Sequence, residues 1–337
     1  MLSTPVLVSG PGLSAPGLWL TGAERWLLLV GLSVALGGLA GRGLARQYKG
    51  PPGPAPLPPP WALRGSILGL AASAALLLTA VAGPGLAERL ARPPVLGPGS
   101  DATGVIAAVE VACFALAALL LRLRQSGWSV APLLGVVAAE GIRSHTEGMI
   151  PVAGALITYC HLLPAVVWAG MLLYTLRAAV AWRADPAAMQ GLVRFHGTAA
   201  AWLFAVVVIT GVVSALLLVP LGSLLTTTYG RFLIVKAVLV AVVTCLAVAG
   251  RVWLSRRRPQ PGEGPPLATK LECAGLAAVL LLAGLLTVLT PPAKPIYTVG
   301  QRVPAPASGP PVRQLRLGPG TAASPRIIDS NSSNDRL

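Results

Sequence analysis

The chain contains three histidines among its 337 residues, and one of them lies deep in an apolar segment. His161 lies in "YCHLLPAVVWAGMLLYTL", with Cys160 beside it and Trp168 two helical turns later on the same face. Pro164 has no N–H, so the Cys160 carbonyl loses its helical hydrogen bond. An imidazole next to such a carbonyl suits a metal ion or a proton. The alternative is a histidine that hydrogen-bonds a neighbouring helix.

A second group of donors lies in "RSHTEGMIP", just before that apolar segment. His145 and Met149 are four residues apart, so one helical turn would bring their side chains together. Imidazole and thioether are both copper ligands, and thioether favours Cu(I). Glu147 and Glu140 add carboxylate oxygens nearby. The alternative interpretation is an ordinary polar loop.

Ionisable side chains within apolar segments are costly and are therefore candidates for function. With a helical rise of about 1.5 Å per residue, Glu110, His161 and Lys236 would lie roughly 12, 16 and 10 Å from the outer membrane surface. Glu110 and Lys236 could form a neutralising pair that fixes helix packing, and Lys236 could instead extend to the outer surface. The three residues could also line a permeation path with His161 as the ligand.

The opposite ends of the apolar segments hold His196, Glu272 and Cys273. These three residues could form an exit site for a metal ion. The alternative is that they are ordinary surface residues. Because the three histidines of the chain lie at very different depths, two bis-histidine haems are impossible and a single haem is awkward.

Composition places the chain in a membrane. Hydrophobic residues make up 54% of it and charged residues 11%, and the mean hydropathy is +0.73, whereas soluble proteins carry about 25% charged residues. The formal net charge of +15 comes from short basic runs between apolar segments, which excludes a nucleic-acid-binding protein. The four cysteines show no metal or disulfide spacing. The absence of a Walker A motif and of a soluble catalytic domain predicts a protein that is not an enzyme.

The apolar segments predict an all-α, polytopic membrane helical bundle with eight transmembrane helices. They lie at about 23–44, 64–84, 102–123, 127–143, 150–180, 194–220, 229–254 and 268–290. The predicted organisation is an N-terminal transmembrane region over 1–144 with a Pro-rich loop at 50–60, a second transmembrane domain over 145–293, and a disordered polar tail over 294–337.

The distribution of basic residues predicts the orientation. Placing both termini outside puts fourteen Lys and Arg residues in cytoplasmic loops and five outside, tail excluded. This arrangement requires that the short fourth segment crosses the membrane. The N-terminus has no charged region before its first apolar stretch, so we expect that stretch to be retained as a span.

Four ordered stretches of the second half resemble the copper resistance protein D (CopD) family. They are "HLLPAVVWAGMLLYTL", "LVRFHGTAAAWLFAVVVITGVVSALL", "TTTYGRFLIVKAVLVAVV" and "LECAGLAAVLLLAGLLTVLTPPA". The matching residues are His161, Trp168, Gly170, Arg194, Phe195, Thr210, Gly211, Thr228, Tyr229, Gly230, Arg231, Lys236, Glu272, Pro291 and Pro292. The resemblance covers about residues 145–293. Two departures are "SHTEG" in place of the family's Gly-His-Ala element, and His196 in place of a small residue.

The resemblance implies a multi-pass protein of the cytoplasmic (inner) membrane that handles copper ions, imports them and confers copper tolerance. It also implies a periplasmic copper carrier of the CopC type as a partner. The candidate metal ligands are His161, His145, Met149, Cys160 and His196. The supporting polar residues are Glu110, Lys236, Trp168, Glu140 and Glu272. The alternatives are a non-transporting factor for assembly of a cuproenzyme such as an oxidase, and a haem-binding membrane electron carrier.

Overall fold

A computed structural model describes residues 15–49, 56–81, 102–144, 146, 150, 152–256 and 267–289 of the chain. The predicted polar tail, 294–337, lies outside the described residues, as do positions 50–55 of the predicted Pro-rich loop. Within the described residues the secondary structure is entirely helical. This confirms the predicted all-α class.

The described helices follow the predicted apolar segments in order. They are α1 (Ala15–Leu32), a π-helical turn (Ser33–Gly37), α2 (Gly38–Gln47), α3 (Ala62–Val81), α4 (Ala102–Arg122), α5 (Val130–Ile142), α6 (Ala153–Ala181), α7 (Pro186–Leu218), α8 (Thr228–Arg256) and α9 (Leu267–Leu286). We call the end of the bundle where α4 and α6 begin the outer end, following the predicted orientation, and the opposite end the inner end.

Six of the described helices are long and apolar enough to cross a membrane, taking α1, the π turn and α2 as one rod. The chain is therefore a polytopic membrane protein. The apolar helix α5 has only 13 residues, or about 20 Å at 1.5 Å per residue, and α9 carries Lys270 and Glu272 near its start. The number of eight spans and the N-out, C-out orientation remain predictions.

The π turn between α1 and α2 packs directly on α6. A Cβ atom added at Gly37 would lie 2.6 Å from the Gly170 Cα, and one added at Gly170 would collide with the Ser33 carbonyl oxygen. Small residues allow membrane helices to approach this closely. Gly170, one of the residues in the CopD-like pattern, therefore has a packing role.

The long helix α6 joins the two halves of the chain. Val166 lies in a core cluster with Leu32, Phe114 and Val136 from the first half. Trp168 and Leu172 lie in a second cluster, whose other buried members are Ala200 on α7, Val243 on α8 and Leu276 on α9. Residues of α6 thus meet both halves, and this central position fixes the orientation of its polar side chains.

Two helix starts next to α6 are capped by side chains. The Asp185 carboxylate accepts hydrogen bonds from the Ala187 and Ala188 backbone N–H groups at 3.0 Å each, with Pro186 at the first helical position of α7. The Thr227 hydroxyl oxygen accepts the Gly230 N–H at 3.1 Å at the start of α8. Both are standard N-terminal caps, and they define where α7 and α8 begin.

Candidate functional site

The His161 imidazole points from α6 to the backbone and side chains of α7. Its Nδ1 lies 3.1 Å from the Val207 carbonyl oxygen and 3.1 Å from the Thr210 Oγ1. The Thr210 hydroxyl donates to the Val206 carbonyl at 2.6 Å, so its oxygen accepts from the ring. Nδ1 therefore carries the hydrogen, and Nε2 keeps its lone pair. No described residue hydrogen-bonds to that Nε2.

Gly211 makes room for this ring. A Cβ atom at that position would lie 3.0 Å from the His161 Cε1 and 3.4 Å from its Nδ1. The Thr-Gly pair at 210–211 thus has a physical explanation, because the threonine binds the imidazole and the glycine lets it approach α7. The sequence pattern matched both residues without indicating their contact with His161.

A matching arrangement lies towards the inner end of the same helix pair. The Nδ1 of His196, on α7, is 3.2 Å from the Oγ1 of Thr175, on α6, and Thr175 donates to the Met171 carbonyl at 2.9 Å. The hydroxyl again bonds to the carbonyl four residues earlier, so here too Nδ1 donates to the threonine oxygen. Each helix supplies one histidine and one threonine to the two contacts.

The two histidines lie at clearly different levels of the bundle. His161 and Thr175 are fourteen residues apart on α6, as are His196 and Thr210 on α7. At about 1.5 Å per residue the two levels are separated by roughly 21 Å along the helices. A single metal ion or haem iron therefore cannot bind both imidazoles.

An aromatic layer separates these two levels. The Trp168 ring packs edge-on against Phe204 with 5.6 Å between the ring centroids. Trp168 is 5% exposed, and its indole N–H has no hydrogen-bond partner among the described residues. Cys273 packs beside the same cluster from α9. This residue, predicted to belong to an exit site, thus lies against an apolar layer.

Of the residues considered around His161, Lys236 is an electrostatic neighbour of its ring. Cys160 is exposed on the outside of the bundle, since adjacent helical residues point about 100° apart. The structure therefore places Lys236 within electrostatic range of His161, whereas Cys160 faces away from the bundle.

Glu110 lies in a buried ionic cluster instead of pairing with Lys236. Its carboxylate is 2.9 Å from an Arg143 nitrogen, and Arg143 also reaches Glu140 at 3.3 Å. Arg25 on α1 lies 3.8 Å from the other Glu140 oxygen. The four side chains are between 0% and 11% exposed. The proposed Glu110–Lys236 pair is therefore wrong, because Arg143 neutralises Glu110.

The position of this cluster follows from the short length of α5. Glu110 is eight residues into α4, or about 12 Å below its outer end, and α5 ends beside it. One described residue of the connection that follows, Thr146, is buried. Thr146 is 3% exposed, and its hydroxyl contacts the Gly154 carbonyl at 3.0 Å and the Thr158 hydroxyl at 2.7 Å. The charge distribution places Arg143 among the five basic residues predicted outside the membrane, although its spacing of three residues from Glu140 was a signal for an ion pair.

The remaining candidate ligands are not assembled by the described part of the chain. His145, Met149 and Glu147 lie outside the described residues. His196 and Glu272 are buried, at 4% and 6% exposure. No group of three His, Cys, Asp or Glu side chains that could hold a metal ion occurs among the described residues. Among the described residues, a copper ion at this level would therefore have the His161 Nε2 as its ligand.

Comparison with known proteins finds a family match in the second half of the chain. Residues 190–290 match the family model Copper resistance protein D, which includes most of α7 and all of α8 and α9 and begins after His161. Over 141 residues the chain is 37% identical to the inner membrane protein YebZ of Escherichia coli strain K12, covering 39% of this chain and 47% of YebZ. The chain thus spans about half the length of that curated relative. No solved structure matches. The predicted CopD resemblance is confirmed.

Proposed function

From the CopD match as premise, we propose that this chain is a copper resistance protein of the inner membrane and that it moves copper ions across that membrane. The observation that supports the proposal best is the anchored His161 imidazole in the outer half of the bundle. Its Nδ1 is fixed by the Val207 carbonyl and the Thr210 hydroxyl, which directs the Nε2 lone pair away from α7.

This arrangement has the chemistry of a copper-binding imidazole. Histidines that bind metals usually donate their second N–H to a carbonyl or another oxygen, which fixes the tautomer and the ring orientation. Imidazole nitrogen is a good copper ligand. In the proposed route His145 and Met149 receive copper outside, with a CopC-type carrier as donor, and pass it to His161. The ion then moves towards the level of His196.

The Trp168–Phe204 layer sets a requirement on this route. Because the two histidine levels are roughly 21 Å apart along the helices, the ion cannot pass between them in one ligand exchange. A transport cycle therefore includes either a change in packing around Trp168 or further donors along the route. The same separation disfavours the haem-carrier alternative, because His161 and His196 cannot ligate one iron.

Copper accumulation by cells tests the proposal. We expect cells making the wild-type protein to accumulate copper, and cells making His161→Ala at equal membrane abundance to lose most of that increase, by about tenfold or more if one ligand is essential. Cys245→Ala, at an exposed position of α8, is the matched control and should accumulate copper normally.

Two outcomes would contradict the transport proposal. Equal accumulation by the wild-type and His161→Ala cells would remove His161 from the route. Normal total copper combined with lost oxidase activity in cells lacking the protein would instead identify the cuproenzyme-assembly alternative.

A further inference from the structure

Four arginines converge at the inner end of the bundle, on the side opposite the buried ionic cluster. Arg177 on α6 lies over the Trp61 ring with 3.9 Å between its Cζ and the ring centroid, and Arg64 on α3 lies 5.6 Å from the same centroid. Arg42 and Arg46, at the end of α2, are within electrostatic range of the nearby Tyr174 hydroxyl. We call these four the arginine cluster.

The scaffold that holds this cluster is built from backbone carbonyls and contains no carboxylate. Arg177 donates to the Pro59 carbonyl at 3.0 Å, and the Tyr174 hydroxyl donates to the Pro58 carbonyl at 2.9 Å. The segment before α3 thereby places Trp61 beside two guanidinium groups. The Pro59 contact positions the Arg177 cation without neutralising it.

No acidic side chain in the described part of the chain forms an ion pair with any of the four arginines. The ion pairs resolved among the described residues are those of Glu110 and Glu140 at the other end. The Nε of Arg42 is buried and has no hydrogen-bond partner among the described residues. Several guanidinium groups held together without a carboxylate repel one another and attract an external anion.

The surface next to the cluster is apolar. A small pocket between the π turn, the start of α2, the segment before α3 and α6 is lined by Val34, Gly38, Trp61, Gly170, Leu173, Tyr174 and Arg177. Trp61 itself is 38% exposed. The site therefore combines an apolar surface with cations at the membrane boundary, where tryptophan is favoured.

We propose that the arginine cluster binds one anionic phospholipid, with its phosphate on Arg64 and Arg177 and its acyl chains against the neighbouring apolar surface. The guanidinium group matches a phosphate oxygen pair through parallel hydrogen bonds. Basic pockets between helices on the cytoplasmic side suit anionic headgroups, and the predicted orientation puts the arginine cluster on that side. The proposal does not depend on copper transport.

Native mass spectrometry of the full-length protein in detergent tests this proposal. The protein is incubated with phosphatidylglycerol, with phosphatidylcholine of the same acyl chains, or with inorganic phosphate. We expect one phosphatidylglycerol retained per chain, weak retention of phosphatidylcholine, and no displacement by phosphate. The Arg64→Gln, Arg177→Gln double variant should retain about tenfold less phosphatidylglycerol, since tenfold corresponds to losing one good polar contact.

Two further variants keep the test decisive. Arg122→Gln removes an exposed arginine from the end of α4, outside the cluster and on the same predicted side, and should bind like the wild type. Arg177→Lys keeps the charge but loses the planar fork, so its retention should be intermediate. Equal retention of the two lipids, displacement by inorganic phosphate, or full retention by a folded double variant would overturn the proposal.

Discussion

His161 shows at the scale of one residue what the sequence can predict and what it cannot. Its depth and its unusual position were predictable from apolar spacing. One interpretation, a histidine that hydrogen-bonds a neighbouring helix, is confirmed by the contacts to Val207 and Thr210. The nitrogen left for a ligand was not predictable, because the tautomer depends on a partner 49 residues away.

Thr210 provides the direct test of this tautomer. Thr210→Val keeps the shape of the side chain but removes the oxygen that accepts from Nδ1, so we expect copper affinity to fall about 10- to 100-fold, the usual effect of losing a contact that orients a metal ligand. Thr210→Ser should bind normally. The measurement is copper titration of the purified variants.

The control for that experiment lies on the same helix. Thr198 is exposed, and its hydroxyl donates to the Arg194 carbonyl at 3.5 Å, within its own helix. Thr198→Val should therefore leave copper affinity unchanged. Wild-type affinity in Thr210→Val would show that the Thr210 contact does not prepare the ring for a metal ion.

Glu110 shows the opposite case at the residue scale. Its burial and its depth were predictable, but its partner was not. Lys236 and Arg143 are both basic residues predicted near the outer side, so either could pair with Glu110. Arg143 is the partner because α5 is short and ends beside Glu110. The structure brings Arg143 against Glu110 and Glu140 together, which is a property of helix length and packing that no charge pattern specifies.

At the scale of elements, the contact between α6 and the π turn decides how the two halves of the chain meet. The pattern identified Gly170 but not its role, since the sequence does not indicate a π turn at 33–37. The turn brings the Ser33 carbonyl to a place that only a residue without a Cβ can face. A position that the CopD-like pattern includes thus has a packing role.

Gly170→Ala tests the importance of this approach. The added methyl group would collide with the Ser33 carbonyl oxygen, so we expect a loss of about 1–3 kcal/mol in stability, as for other overpacked cores. Thermal unfolding of the purified protein in detergent measures it. Gly43→Ala on α2, where an added Cβ meets nothing within 4 Å, should unfold like the wild type. An unchanged unfolding temperature in Gly170→Ala would mean that the π turn moves aside without cost.

At the scale of the whole molecule, composition and apolar runs were enough to predict the order of the helices. The predicted segments coincide with described helices from α1 to α9. Apolar length could not establish whether α5 crosses the membrane, because 13 residues are fewer than the roughly 20 that a span requires. The predicted orientation depends on that helix.

Single cysteines at two exposed glycines test the orientation. Gly127 precedes α5 and Gly222 follows α7, and an added Cβ meets nothing within 4 Å at either site. In a background without native cysteines, we expect a membrane-impermeant maleimide added to intact cells to label Gly222→Cys and not Gly127→Cys. Opening the cells should expose both. Labelling of both sites, or of neither, in intact cells would place them on one side and exclude α5 as a span.

The equal spacing of the histidine–threonine contacts has a consequence for direction. The two contacts are related by an approximate twofold axis that exchanges α6 with α7. The histidine–threonine contacts of this helical hairpin therefore do not distinguish its outer end from its inner end. For the proposed transport, we therefore expect the direction to be set by the surroundings of the hairpin. These surroundings differ at the two levels, because Lys236 on α8 lies within electrostatic range of His161, while His196 is enclosed at 4% exposure.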